Sequence, residues 1–238
     1  MRRNVILGAV AAIAVMALSG AGAYAYFFSG LRTSPSSLGL SASPTAGSTP
    51  TAASTGLAGT WKVTTGSLAG YRVQELFAGE ASKHLAVART SKVSGNLTLS
   101  GDSSGYQVSG ITLNADLSGL HSVDQVVGRN VTQRDGIVSR QLNVQQFPNA
   151  RFTATSASVP GPIAASPVDV TAAGKLTIHG VTRDVTASAK AQVVGDRIEL
   201  AGTMTITMTD YGVTPPQVPF TAVDSTVTIE FDVFLART

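Results

Sequence analysis

Between Pro167 and Thr209, apolar and polar residues alternate in a pattern that specifies a three-stranded antiparallel meander. A two-residue turn at His179-Gly180 sets the first register. Gly accepts a positive φ freely and His tolerates it better than most residues, as a type I′ turn requires. Ile178 then faces Val181, and further out Lys175 faces Asp184 and Asp169 faces Lys190. Thr171/Ser188 and Ala173/Thr186 share that polar face, while Val168/Ala191, Val170/Ala189, Ala172/Ala187 and Gly174/Val185 form the other. A three-residue loop would mix the faces, since a one-residue slip inverts every side chain of a strand. A four-residue loop would lose both opposite-charge pairs. A second turn at Gly195-Asp196 opposes Val193 with Ile198, Ala191 with Leu200, Ala189 with Gly202, Ala187 with Met204 and Val185 with Ile206. Both turns choose the same apolar face, so the strands are long and wet on one side.

The same alternation predicts strands over Thr60–Thr64, Gly70–Val73, Leu85–Thr90, Val93–Ser100, Tyr106–Leu117, Arg151–Ser158 and Thr226–Leu235. The phase changes at Gly110-Ile111, the mark of a bulge. From Val123 to Val144 alternation stops, which predicts a loop with a short irregular helix. The reading is all-β: an extended antiparallel barrel of about eight strands with one short helix, since closure removes exposed edges.

Two segments precede this domain (59–238). Met1 to Phe28 holds an uncharged run, Val5 to Phe28, behind Arg2 and Arg3. As a helix its 24 residues would reach about 36 Å, enough for a bilayer core. This predicts an N-terminal transmembrane anchor with the barrel outside the cytoplasm; Ala21-Gly22-Ala23 and Ala23-Tyr24-Ala25 leave open a cleaved signal and a secreted product. Residues 29–58 read as a flexible linker, because Ser, Thr, Pro and Gly supply 20 of the 30.

Composition narrows the chemistry. The absence of Cys excludes disulfides and thiolate sites. Arg2, Arg3 and Arg32 carry the whole formal charge of +3, so the domain is neutral and no nucleic-acid partner is expected. Gly101-Asp102-Ser103-Ser104-Gly105 fits G-x-S-x-G, but strands on both sides make it a hairpin turn. His121, Ser122 and Asp124 are neighbours in one loop, whereas triad members normally come from separate elements. The three His have no metal-ligand spacing, and no cofactor is expected. Small residues in the central rows of the meander (Val170, Ala189, Gly202; Ala172, Ala187, Met204) are consistent with a ligand-holding lumen and equally with close sheet packing.

Gly174 to Arg183 reads G-K-L-T-I-H-G-V-T-R and resembles the G-x-L-T-(I/L)-H-G-V-(T/S)-(R/K) segment of the YceI-like family. Arg134-Asp135 with Phe147, Pro148 and Phe152 is similar to that family's R-D segment and Y-P-x-x-x-F stretch, and Asp210-Tyr211-Gly212-Val213 to its D-F-G-(I/V) segment. The resemblance covers roughly residues 60 to 238. It implies a lipocalin-like barrel whose apolar lumen binds an isoprenoid or similar amphiphilic lipid outside the cytoplasm, without catalysis. Lining residues would be Leu176, Ile178, Val185, Met204, Ile206, Met208 and Phe231, with Arg183 at the rim. The alternative is a filled barrel or sandwich acting as a cell-envelope interaction module.

Overall fold

The structure, a computed structural model, describes residues 15–22, 24, 32–41, 56–102, 105–159, 163 and 166–238. Its strands are β1 (Arg32–Thr33), β2 (Gly59–Val63), β3 (Leu68–Phe77), β4 (His84–Thr90), β5 (Val93–Asp102), β6 (Gly105–Asp116), β7 (His121–Ser122), β8 (Gln125–Val126), β9 (Asn149–Val159), β10 (Val168–Ile178), β11 (Val181–Val194), β12 (Arg197–Thr207), β13 (Gln217–Val218) and β14 (Thr221–Arg237). Within the domain the strands are accompanied by an α-helix, α1 (Gln133–Gln141), and two 3-10 turns, Leu117–Gly119 and Met208–Tyr211.

The longest strand, β14, organises the barrel. One edge pairs with β12 from Thr226 to Ala236. The other edge changes partner: Thr221 to Asp232 pair with β3, and Leu235 to Arg237 with β2. The ring runs β14–β12–β11–β10–β9–β6–β5–β2 and back to β14, eight antiparallel strands among the described residues. At the exchange point Ser67 Oγ donates to Thr64 O at 2.8 Å and accepts from Phe234 N–H at 2.9 Å, so the break between β2 and β3 is satisfied internally. From there β3, β4 and β7 leave the ring as a flap, and α1 closes the space between the flap and the ends of β6 and β9.

The meander has the register its sequence specifies. β10 and β11 pair from Val168↔Ala191 to Ile178↔Val181. His179 and Gly180 both have positive φ, 53° and 76°. Lys175–Asp184 and Lys190–Asp169 form at 2.8 and 2.7 Å. The bulge at Gly110-Ile111 is present, with Asn96↔Thr112 followed by Thr98↔Ser109. The second hairpin departs from expectation. β11 and β12 pair only from Val194↔Arg197 to Ser188↔Thr203, so the Ala187–Met204 and Val185–Ile206 pairs do not form. Beyond Ser188 the Met208–Tyr211 turn packs against β11, β12 and β14 and the two strands separate.

Among the described residues no helix is long and apolar enough to cross a membrane. Of the predicted anchor, residues 15–22 and 24 are helical, and the rest lies outside the described residues. Residues 32–41, inside the stretch that composition marks as a linker, are docked on the barrel. Ser34 Oγ donates to Leu85 O at 2.6 Å, Arg72 to Pro35 O at 2.8 Å and Arg89 to Ser36 O at 2.5 Å. Leu38 N–H donates to Glu230 at 3.0 Å, and Ser41 donates to Glu199 from its N–H at 2.7 Å and its Oγ at 2.8 Å. This strap explains why the outward-facing Gln192, Glu199 and Glu230 are buried rather than wet. Buried carboxylates require hydrogen-bond partners, and the strap's backbone supplies them.

Candidate functional site

Two apolar cavities lie inside the barrel. The larger, about 180 Å³, occupies the end where β3 and α1 widen the wall. β10 contributes Leu176 and Ile178 to it, β12 Ile206, and β14 Val227 and Ile229; Met208 lines it from the 3-10 turn, and α1 adds Ile137 and Val138. Val218, 37% exposed, lines this cavity and also reaches the surface, which marks the mouth. The smaller cavity, about 60 Å³, lies toward the opposite end among Ala172, Ala187, Ala189, Leu97, Leu99 and Val108. Met204 and Phe231 line it, and Phe152 crosses the lumen above Gly174. A Cβ on Gly174 would stand 2.6 Å from the Phe152 ring, so Gly is what lets that ring lie there.

Of the residues expected to line a lumen, Leu176, Ile178, Ile206 and Met208 border the larger cavity, and Met204 and Phe231 the smaller. Val185 is half-buried against the core and borders neither cavity. Arg183 is exposed, donates to Thr182 O at 3.2 Å and borders neither. The small-residue rows do face inward, but Leu97, Leu99 and Val108 from the opposite wall reduce the space there. Most of the room is at the other end.

One buried cluster of charged groups touches the larger cavity, through Glu75 and Arg134. Arg134, on α1, forms ion pairs with Glu75 of β3 and with Asp124 at 2.8 Å, and donates to Ser122 Oγ at 3.1 Å. His84 Nε2 lies 2.7 Å from the second Asp124 oxygen, and Val87 N–H donates to the first at 3.0 Å. Burial pushes the Asp124 pKa up, but the bonds from His84, Arg134 and Val87 outweigh it and hold the carboxyl down at about 2. The guanidinium of Arg134 is pushed up against its own burial by Asp124 and Glu75. The cluster therefore ties α1 to the flap and keeps the helix in place as a cavity wall. Glu75, His84 and Asp124 lie close enough together to hold a metal ion. Arg134, however, already supplies the positive charge to both carboxylates.

The other candidates fall into structural roles. His121 pairs with Gly119 O, Ser122 Oγ donates to Asp135 at 2.6 Å and Asp124 serves His84, so each of the three bonds elsewhere. The G-x-S-x-G stretch joins β5 to β6 and has no helix after it. His179 bonds through Nδ1 to Tyr211 O at 3.2 Å and meets Phe147 edge-on at 5.4 Å between centroids.

A sequence profile of the YceI-like domain matches residues 61–235. The chain belongs to the YceI-like family. In this member the R-D pair has a physical meaning: Arg134 locks α1 to the flap and Asp135 holds Ser122 of β7. Among solved structures, a polyisoprenoid binding domain from Saccharophagus degradans, implicated in plant cell wall breakdown, is 16% identical over 76% of this chain and 99% of that one, with a TM-score of 0.49. Burkholderia cenocepacia BcnA is 16% identical over 69% and 95%, with a TM-score of 0.46. A Campylobacter jejuni YCEI protein is 15% identical over 68% and 93%, with a TM-score of 0.45. No curated protein matches the chain.

The sequence reading missed Glu75, His84, the cavity face of α1 and the mouth residue Val218. His84 and Asp124 are 40 positions apart, and no local pattern links them. Glu75 shares the inward phase of Ala69, Tyr71, Val73 and Phe77 on β3, where a charged residue breaks the apolar alternation and gives no hint of the partner that α1 brings. The apolar positions of α1 are too few to announce a buried face.

Proposed function

We propose that this chain binds an isoprenoid or similar amphiphilic lipid in the larger cavity, without catalysis, as a carrier tethered to the outer side of a membrane. The observation that carries this reading is the cavity: apolar walls, a surface opening at Val218, and a buried cluster of charged groups that are paired with one another. Burial of hydrocarbon against such walls contributes about 25 cal/mol per Å². At about 180 Å³ the space is smaller than the usual ligand cleft of about 300–1,000 Å³. A long chain therefore has to move Phe152 or Met204 and enter the second cavity, and Met adapts readily. Family membership supports lipid as the ligand class. The uncharged run behind Arg2 and Arg3 supports the tether and an extracytoplasmic barrel.

The test is purification from native membranes followed by solvent extraction and mass spectrometry. A stoichiometric long-chain lipid is expected, and Ile206→Trp, which fills the cavity, should remove it while far-UV circular dichroism and a cooperative melt still report a folded barrel. Absence of lipid from the parent protein in both detergent-free and mild-detergent preparations would end the carrier reading.

A further inference from the structure

Three large apolar side chains are exposed on the described part of the domain: Val127 at 62%, Phe220 at 57% and Val218 at 37%. They gather at one end of the barrel. Ala78 N–H, at the end of β3, donates to Phe220 O at 3.0 Å. The neighbouring Glu80 pairs with Arg129, whose guanidinium lies 4.1 Å above the Phe77 ring. Val127 follows β8 directly, and β8 pairs with β1 at the start of the strap. Val218 lines the cavity mouth, and Phe220 forms the tip of the β13–β14 hairpin beside it.

The strap begins at the same place. Arg32 is tied to Glu80 and to Ser82, and Thr33 pairs with Gln125. The uncharged run ends at Phe28, four positions earlier. Four residues reach at most about 14 Å. Whatever Val5–Phe28 enters, the mouth end of the barrel is held within that distance of it. The opposite end, at the Gly195-Asp196 turn, is roughly 50 Å away along β14.

We propose that the mouth end is a bilayer-docking surface, with the β13–β14 hairpin tip as the element that enters the interface and residues 32–41 as the strap that keeps this end toward the membrane. The inference rests on the tethered-carrier reading and adds an orientation to it. A lipid surface fits better than a protein partner because the chain leaving this end runs within four residues into a segment of bilayer length. The charges at the rim are balanced, with Lys83 on Asp224 and Arg129 on Glu80. Docking is therefore apolar, and it does not require anionic lipid or weaken strongly with salt.

The chain has no Cys, so single labels are clean. The full chain carrying a fluorophore at Ala81→Cys (mouth-end turn) or Asp196→Cys (far turn) is reconstituted into phosphatidylcholine vesicles containing headgroup-nitroxide lipid. Quenching is expected to be several-fold stronger at 81 than at 196, and little changed between low and high salt. Phe220→Asp should reduce it. Replacing residues 32–41 with a Gly/Ser stretch of equal length should erase the contrast while flotation with vesicles and Trp61 emission persist. Equal or reversed quenching in the parent protein overturns the orientation, and a contrast that survives loss of the strap overturns the strap's role. Failure of the parent chain to float with vesicles instead overturns the tethered reading itself.

Discussion

Ser41 and Glu199 are 158 positions apart and are joined by two hydrogen bonds, 2.7 Å from the Ser41 N–H and 2.8 Å from its hydroxyl. Gln192 donates a third bond to the same carboxylate at 2.6 Å. A fully buried charge on the outer face of a strand is stable only with such company. Ser41→Ala removes one of three bonds and should lower stability by about 1–2 kcal/mol, read as a fall in the urea midpoint with unchanged m-value.

Among the described residues, Arg134 is the only Lys or Arg paired with Glu75 and Asp124. Arg134→Met leaves two buried carboxylates without that partner and should cost about 3–5 kcal/mol. Arg134→Lys keeps the charge but loses the fork that meets both carboxylates, and should fall between the two. Denaturant midpoints order the three proteins, and a Met variant as stable as the parent would refute the locking role given to this residue.

Asp124 and Asp232 push the pH profile in opposite directions. The Asp124 carboxyl is held at about 2, below its unfolded value, so its contribution is complete at neutral pH and is lost as pH falls through about 4 toward 2. Asp232 is the reverse case. Burial, then the charge of Glu199, raises it to about 6, and its Oδ1 is buried without a partner among the described residues. The folded form then holds the proton more tightly than the unfolded form, and stability declines as pH rises from about 4 to 6. Asp232→Asn should remove that decline and stabilise the protein by about 1 kcal/mol at pH 7.5, after allowance for solvent screening. At pH 4 the variant and parent should match. Thermal unfolding across this range checks both signs.

Tyr211 is 2% exposed, and its hydroxyl has no hydrogen-bond partner among the described residues. An unsatisfied buried hydroxyl is a standing penalty. Tyr211→Phe removes it with the ring left in place and should raise stability by about 1 kcal/mol, seen as a higher melting temperature. A loss of similar size would mean that the hydroxyl has a partner.

The residues themselves determined whatever is local to a strand or a turn. His179-Gly180 sets the register from Val168↔Ala191 to Ile178↔Val181 because a two-residue loop requires positive φ and pairs of opposite charge choose the phase. Gly110 announced its bulge, and the alternation from Val227 to Leu235 identified the inner face of β14. Tertiary structure decided what depends on facing walls. The small rows of the meander predicted space, but its amount depends on Leu97, Leu99 and Val108, which arrive from strands some 60 to 100 positions away. The larger cavity exists because β14 exchanges β2 for β3 near Ser67, and because Arg134 anchors α1 across the resulting gap. The strap shows the same division most clearly. Ser34 to Ser41 has no apolar period to read, and Glu199 and Glu230 occupy positions that alternation assigns to water. Only their meeting, across 158 and 192 positions, converts a linker sequence and two wet-face carboxylates into a buried contact.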